Sequence, residues 1–170
     1  LPNPVRKRGW HTMTTILIVD DDEAVRFMLR RALTGEIYRI VDASSAEEGL
    51  AVFKHEHPEL VMTDLRMGEE DGLWLAEQLI ALDPDLPILL ITAYADIKSA
   101  QRAISMGIYE YYTKPIDLHQ VMTGIKRGLA HRRLTIENKA YQQDLEKRIE
   151  ERTNDLERAY QELVQTEKVA

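Results

Sequence analysis

The sequence predicts an α/β fold in which five parallel strands alternate with five helices that cover both faces of the sheet. Three observations support this prediction. Short runs rich in Val, Ile and Leu alternate with segments in which apolar residues recur at helical spacing. The apolar runs lack polar alternation, which is typical of strands buried on both faces. The connections are short, as in doubly wound parallel sheets.

Each strand and helix is predicted from its own local pattern. The predicted strands span residues 15–19, 38–41, 60–63, 88–91 and 108–112. The predicted helices span residues 24–33, 46–53, 73–82, 97–105 and a fifth segment that begins near Leu118. Ser45 and Asp117 are good N-caps, whereas Gly35 and Gly107 end the first and fourth helices. Five strand–helix units therefore follow one another along the chain.

The fifth helix has no sequence signal that ends it. Residues 134–170 contain neither Pro nor Gly. From Ile149 onward, the residues at heptad a and d positions are Thr153, Leu156, Tyr160, Leu163, the polar exception Glu167, and Ala170. The step from Leu145 to Ile149 is four residues where three is due, which is a stutter. The pattern predicts a parallel homodimeric coiled coil through residues 134–170.

Composition excludes several classes of function. The net charge of −7 disfavours nucleic-acid binding through bulk electrostatics. Cysteine is absent, which excludes disulfides and thiolate metal sites and fits a reducing compartment. No apolar run reaches the roughly 18–20 residues of a membrane span, and no signal-peptide core is visible at the start. We expect a cytoplasmic chain that binds neither membrane nor nucleic acid directly.

Three segments are expected along the chain. Residues 1–12 form an N-terminal tail or tag-like segment ahead of Met13, which is a plausible native start. Residues 13–133 form the α/β domain, and residues 134–170 form the helical extension. Because residue 1 is Leu, we expect a fragment or a processed chain.

Polar residues follow four of the five predicted strands. Asp20 and Asp21 follow the first strand, Asp64 follows the third, Thr92 ends the fourth and Lys114 follows the fifth. These positions share one edge of a parallel sheet, the edge where ligands bind. Three carboxylates repel one another unless they share a cation, and oxygen ligands without His or Cys favour Mg²⁺. With a lysine and a hydroxyl, the set suits an acyl phosphate on aspartate.

A single carboxylate at a strand–helix junction has a simpler explanation. Asp22 and Asp71, each taken alone, are better explained as helix N-caps than as site residues. The capping explanation is weak for the five residues above, because all of them fall at the same edge of the sheet.

Four segments resemble the signature blocks of response-regulator receiver domains. They are ILIVDDDE (16–23), PELVMTDLRM (58–67), PILLITAY (87–94) and YYTKPID (111–117). The resemblance covers roughly residues 14–130 and implies the flavodoxin-like receiver fold. It also implies a place in a two-component phosphorelay.

The resemblance implies roles for the acidic residues. Asp64 is the phosphoacceptor, and the donor is a histidine kinase or a phosphotransfer protein. Asp20 and Asp21 organise Mg²⁺, with Asp21 as the direct ligand. Asp64 and the backbone carbonyl of Arg66 complete the protein ligands of the metal.

Further roles follow from the same resemblance. The Thr92 hydroxyl moves to meet the phosphoryl group, and Lys114 pairs with it. Tyr111 is the aromatic switch residue, and the small Ala93 leaves access to the acceptor. The Lys114–Pro115 peptide bond is expected to be cis. Phosphorylation would then remodel the face made by the fourth helix, fifth strand and fifth helix, and would act through the dimeric tail on an output domain.

One loop departs from the family pattern. The family usually has Pro after the Met that occupies position 67, whereas this chain continues Gly68-Glu69-Glu70-Asp71-Gly72. This loop is expected to be more mobile and more negative than is usual, with consequences for its rigidity and for partner docking.

The tail has a resemblance of its own. Residues 145–170 resemble signalling helices that join sensor or receiver modules to output domains, and Glu151-Arg152-Thr153 matches their characteristic tripeptide. The closing QTEKVA resembles the segment before the phosphoaccepting helix of histidine kinases. The alternative is a generic charged coiled coil.

Two other functions compete with the phosphorelay receiver. A constitutive coiled-coil dimerisation scaffold would use the receiver fold structurally and would have a degraded acidic site. A Mg²⁺-dependent phosphohydrolase would need an acid/base carboxylate two residues beyond Asp64, where this chain has Arg66.

Overall fold

A computed structural model describes residues 13–35, 37–93 and 96–169 of the chain. The predictions for residues 1–12, Tyr94 and Ala170 lie outside these ranges. Contacts divide the chain into two units, of which the first ends at Arg132 and the second begins at Arg133. The domain boundary predicted between residues 133 and 134 lies one residue further along.

The first unit has the predicted alternation of strands and helices. Its strands are β1 (Thr14–Val19), β2 (Tyr38–Ala43), β3 (Leu60–Thr63), β4 (Ile88–Thr92) and β5 (Glu110–Thr113). The helices are α1 (Glu23–Thr34), α2 (Ala46–Glu56), α3 (Gly72–Leu82), α4 (Ile97–Met106) and α5 (Leu118–Val169). The predicted fold class is confirmed, including the long C-terminal helix.

All pairings in the sheet are parallel, and the strand order is β2-β1-β3-β4-β5. The chain moves from β1 outward to β2 and then returns to the other side of β1. Ile16 of β1 therefore pairs with Ile40 on one side and with Leu60 on the other. The strand order reverses between β1 and β3, and ligands bind beyond the carboxyl ends of strands at such a point.

One face of the sheet packs against α1 and α5. Leu29 and Leu33 of α1 and Val121 and Ile125 of α5 are buried there. The strand residues of this cluster are Ile16, Ile18, Leu60, Met62, Leu89 and Ile91. Alternate residues of β1 point to opposite faces, so Ile16 and Ile18 share this side.

The opposite face packs against α2, α3 and α4. Its main cluster contains the strand residues Leu17, Val19, Val61 and Ile88 and the helix residues Ala46, Phe53, Leu75, Ala76 and Leu79. A smaller cluster joins Leu90 of β4 to Ala103 of α4. Because both faces are covered, the inner strands carry continuous apolar runs, namely residues 16–19, 60–62 and 88–91, which explains the missing alternation in the sequence.

Helix ends follow the predicted capping chemistry. The Ser45 hydroxyl accepts a hydrogen bond from the N–H of Glu48 (3.1 Å) and starts α2. The carboxylate of Asp117 accepts bonds from the N–H groups of His119 (2.9 Å) and Gln120 (3.2 Å) at the start of α5. These bonds satisfy donors that have no partner inside the helix.

The predicted bounds of the fifth strand, residues 108–112, are wrong by two residues at the start. The strand runs from Glu110 to Thr113. Gly107 ends α4 with φ at +89°, and the N–H of Ile108 donates to the carbonyl oxygen of Ala103 (3.1 Å). Ile108 is therefore part of the helix C-cap, although its apolar side chain looks like the beginning of a strand.

The second unit consists of the remaining part of α5, from Arg133 to Val169. Its large apolar side chains are exposed, namely those of Leu134, Ile136, Tyr141, Leu145, Ile149, Leu156, Tyr160, Leu163 and Val169. The predicted helix is confirmed over these residues, and the coiled-coil dimer stays a prediction. Within the ranges that the structure describes, no helix is both long and apolar enough to cross a bilayer.

Candidate functional site

Backbone hydrogen bonds of the sheet bring three carboxylates together. The N–H of Asp20 donates to the carbonyl oxygen of Ala43 (3.2 Å), and that of Asp64 donates to the carbonyl oxygen of Val19 (2.9 Å). The ends of β1 and β3 are therefore held side by side. One carboxylate oxygen from each of Asp20, Asp21 and Asp64 lies within 4.8 Å of the other two.

Lys114 joins two of these carboxylates from the end of β5. Its Nζ donates to Oδ2 of Asp20 (2.9 Å) and to Oδ2 of Asp64 (2.8 Å). The backbone N–H of Lys114 donates to the carbonyl oxygen of Thr92 (2.8 Å), which ties the position of the lysine to the end of β4. The Lys114–Pro115 peptide bond is cis.

Burial differs sharply among the three carboxylates. Asp20 and Asp64 are 3% and 8% exposed, whereas Asp21 is open to solvent. Burial raises the pKa of Asp20, and this effect outweighs the opposing hydrogen bonds from the Asp22 N–H and Lys114. For Lys114, burial alone would lower the pKa, but its bonds to Asp64 and Asp20 leave it above the usual value. Lys114 is therefore a cation at neutral pH.

The donor set suits a hard divalent cation. Three carboxylates converge without His or Cys, and one of them, Asp21, faces solvent where an ion can enter. Asp22 has a different role. Its Oδ1 accepts the N–H of Ala24 (2.8 Å) and caps α1, so this carboxylate is occupied at the helix start.

The remaining predicted residues lie at the ends of β4 and β5. Thr92 is fully buried, and Ala93 beside it is exposed. Tyr111 is partly buried against the cluster that contains Ala103 of α4. Burial raises the pKa of Tyr111, and the negative charges of Asp96 and Asp64 add to this effect. The phenol is therefore neutral and within the electrostatic influence of the acidic cluster.

Comparison with known proteins identifies the family. Residues 16–126 match the family described as the response regulator receiver domain. The chain belongs to this family. The match includes every residue of the acidic cluster as well as Thr92 and Lys114.

Curated relatives resemble the receiver domain over most of its length. This chain is 38% identical over 119 residues to the transcriptional regulatory protein GlrR of Escherichia coli K12, and the aligned region covers 70% of this chain and 27% of GlrR. It is 33% identical over 126 residues to the C4-dicarboxylate transport transcriptional regulatory protein DctD of Rhizobium meliloti, covering 74% and 27% of the two chains. The chain thus spans about a quarter of the length of these relatives.

Solved structures share the fold. A CheY-like receiver domain protein from Methanospirillum hungatei JF-1 superposes with a TM-score of 0.71 at 28% identity, covering 73% of this chain and 99% of the other. NtrX from Brucella abortus, solved with ADP, gives a TM-score of 0.68 at 29% identity, covering 72% and 28% of the two chains.

Arg66 contributes a backbone group to the receiver site. Its N–H lies 3.3 Å from Oδ1 of Asp64, so the peptide after the acceptor strand turns back over the carboxylate. The Arg66 side chain is exposed. The role of the Arg66 carbonyl oxygen as a metal ligand stays a prediction.

Gly72 is a site residue that the sequence analysis did not single out. A Cβ atom at this position would lie 1.9 Å from the carbonyl oxygen of Asp64, which no side chain can tolerate. The N–H of Gly72 donates to the carbonyl oxygen of Leu65 (2.8 Å), and Asp71 caps α3 through the N–H of Trp74 (2.8 Å). The loop thus closes directly on the acceptor. The Asp-Gly pair before an apolar helix was the available sequence signal.

Arg26 is a second residue that sequence analysis missed. Its Nη1 donates to the carbonyl oxygen of Asp20 (2.7 Å), and its Nε pairs with Oδ2 of Asp42 (3.1 Å). Arg30 also pairs with Asp42. Arg26 therefore fixes the backbone of an acidic-site residue from α1. Its partner lies on β2, so no local pattern could reveal the contact.

The close approach of Gly72 to Asp64 leads to a stability prediction. Gly72→Ala should lower the free energy of unfolding by about 2 kcal/mol or more, because backbone must shift to relieve the overlap. Gly35→Ala is the matched control, since nothing lies within 4 Å of its added methyl. Urea denaturation measures both. Equal stability of the two variants would contradict the close approach.

A second prediction separates the metal ligands from the helix cap. Asp21→Ala should weaken Mg²⁺ binding at least about tenfold, because an exposed carboxylate of the cluster is lost. Asp22→Ala should cost about 1 kcal/mol of stability through the lost cap but should leave Mg²⁺ affinity nearly unchanged. Titration calorimetry with Mg²⁺ and thermal unfolding measure the two effects. Equal losses of affinity would show that Asp21 has no special role.

Proposed function

We propose that Asp64 accepts a phosphoryl group from a histidine kinase or phosphotransfer protein and that its phosphorylation controls an output domain through the tail helix. The observation that carries this proposal is the position of Lys114, whose ammonium contacts both Asp64 (2.8 Å) and Asp20 (2.9 Å). A buried carboxylate beside a fixed cation is well placed to accept a highly charged group.

The transfer step follows from this arrangement. A carboxylate oxygen of Asp64 attacks the phosphorus of phosphohistidine, and an O–P bond forms as the P–N bond breaks. The imidazole leaves with the electron pair of that bond and takes a proton. Lys114 then lies beside the new negative charge and offsets part of it. The N–H of Arg66 donates to the other oxygen, Oδ1, of the same carboxylate.

Asp20, Asp21, Asp64 and the carbonyl oxygen of Arg66 would hold Mg²⁺. The bound ion would supply positive charge that neutralises the transferring phosphoryl group. The convergence of three carboxylates and the solvent-open position of Asp21 support this assignment.

Phosphorylation adds a charge of about −1.5 to −2 at Asp64, which we expect to draw Thr92 and Lys114 inward. Lys114 is bonded to Thr92 through its backbone, so the ends of β4 and β5 respond together. Tyr111 lies between this region and α4, where its burial can change. The face formed by α4, β5 and α5 is thus the proposed response surface.

The tail is the proposed route to an output domain. α5 begins in the receiver unit at Leu118 and supplies the whole of the second unit. We propose that residues 134–170 pair in parallel with a second copy. The exposed residues Ile149, Leu156 and Leu163 would then be buried, which offsets the cost of association.

Several relatives are longer regulators, and they suggest the kind of output that could follow. One is the DNA-binding transcriptional regulator NtrC of Salmonella typhimurium, of which the chain covers 25% at 32% identity. The kind of output attached to this receiver stays open, and its cytoplasmic location stays a prediction.

The scaffold alternative is less well supported. It predicts an acidic site that has lost members, whereas Lys114 contacts two of three converging carboxylates. The phosphohydrolase alternative still lacks a carboxylate at position 66. The scaffold alternative does not account for the positioning of Lys114.

Replacing the acceptor tests the central proposal. Asp64→Asn should reduce acyl-phosphate formation from acetyl phosphate to background, because an amide oxygen is a poor nucleophile. The near-isosteric change should preserve the fold. Asp155→Asn, at an exposed tail position, is the matched control and should label like the unchanged chain. Undiminished, acid-stable label on the Asp64 variant would rule out this acceptor.

Truncation tests the proposed dimer. The intact chain should sediment as a dimer at high micromolar concentration, whereas a chain ending at Arg133 should be monomeric. The shortened chain retains the core clusters on both faces of the sheet, so it should still fold. The dimer proposal fails if both species sediment as monomers.

A further inference from the structure

Ion pairs join neighbouring turns of the tail helix between residues 144 and 158. From Ile149 onward, in the heptad frame that places Ile149 at d, their members fall at positions c and f, away from the a/d seam. The pairs are Lys147–Glu151 (4.0 Å), Arg148–Asp144 (2.9 Å) and Arg158–Asp155 (4.0 Å). Glu151, Asp155 and Arg158 of the outer face are thus paired within the same chain.

Arg152 and Glu157 are two of the charged residues that lie beside the seam. Arg152 falls at position g and Glu157 at position e of the same frame. Both are exposed, and within the described part of the chain neither makes an ion pair. In a parallel two-stranded coil, a g residue faces the e residue that lies five positions later in the other chain. Arg152 would therefore face Glu157 of the partner subunit.

The same positions disfavour an antiparallel arrangement. An antiparallel pair sets g against g and e against e. From Ile149 onward, the g positions of this frame are Arg152, Ala159 and Thr166, and the e positions are Glu150, Glu157 and Val164. Arg152 would find no acidic partner in that arrangement, while the glutamates could face only each other or Val164. The charges beside the seam are complementary only in the parallel orientation.

We propose that Arg152 and Glu157 form reciprocal ion pairs between two copies of this chain and thereby fix a parallel, in-register dimer of the tail. This inference rests on the dimerisation proposed above and adds the contact that sets its orientation. Exposed ion pairs contribute little to affinity, so their effect falls on the choice of orientation and partner. The apolar seam provides the association itself.

Charge reversal in the full chain tests the pairing. Arg152→Glu alone places two Glu–Glu contacts in the dimer, and Glu157→Arg alone places two Arg–Arg contacts. Each single variant should dimerise more weakly than the unchanged chain, and the double variant should recover. When the two single variants are mixed, both contacts of the mixed dimer become attractive. Native mass spectrometry should then show mixed dimers well above the one-half expected for random pairing, and high salt should reduce the excess.

The matched control makes the same charge changes on the outer face. Arg158→Glu mixed with Glu162→Arg alters positions f and c and should give random pairing. Random pairing of the seam variants, or an equal excess of mixed dimers in the control mixture, would overturn the proposed ion pair. In that case the dimer proposal would still stand if the unchanged chain dimerises. A monomeric unchanged chain would instead remove the dimer proposal and this inference with it.

Discussion

The contact of the Lys114 ammonium with Asp20 and Asp64 is the interaction on which the receiver site depends. Two buried carboxylates at the end of one sheet would repel each other, and burial already raises the pKa of Asp20. The ammonium offsets part of this charge. Since the backbone of Lys114 is bonded to Thr92, the balance of charge also depends on where β4 and β5 end. The proposed phosphorylation of Asp64 would therefore act on those two strands.

The surrounding structure holds this balance in place by backbone contacts. Gly72 brings the β3–α3 loop against the carbonyl oxygen of Asp64, and Arg26 holds the carbonyl oxygen of Asp20 from α1. Both contacts are made to main-chain carbonyl oxygens. They therefore fix the backbone position of each aspartate without neutralising its carboxylate charge. The site can therefore keep a concentration of negative charge that a protein core would otherwise exclude. That charge would attract a divalent cation, whose positive charge would in turn offset that of a transferring phosphoryl group.

The tail is stabilised by different interactions from those of the receiver unit. It has no core of its own, and its apolar side chains, such as Leu156 and Leu163, remain exposed in a single chain. Its helix is supported by local ion pairs, while Arg152 and Glu157 beside the proposed seam form no ion pair with any residue that the structure describes. In the receiver unit, the ammonium of Lys114 thus pairs with carboxylates of the same chain, whereas the proposed dimer would set the tail's apolar surface and selected charges against a second copy.

The sequence by itself determined the alternation of strands and helices, because buried strands and amphipathic helices have distinct local periodicities. It also predicted which edge of the sheet would carry Asp20, Asp64 and Lys114, since parallel strands align their carboxyl ends. The start of β5 was predicted too early because Ile108, which belongs to the C-cap of α4, has an apolar side chain like that of a strand residue. Only the tertiary structure decided the contacts of Arg26 and Gly72 and the degree of burial of each carboxylate. The contact of Arg26 with Asp42 and the burial of each carboxylate depend on how separate strands and helices pack, and the contact of Gly72 depends on how the β3–α3 loop folds back on Asp64. Local periodicity does not encode either of these.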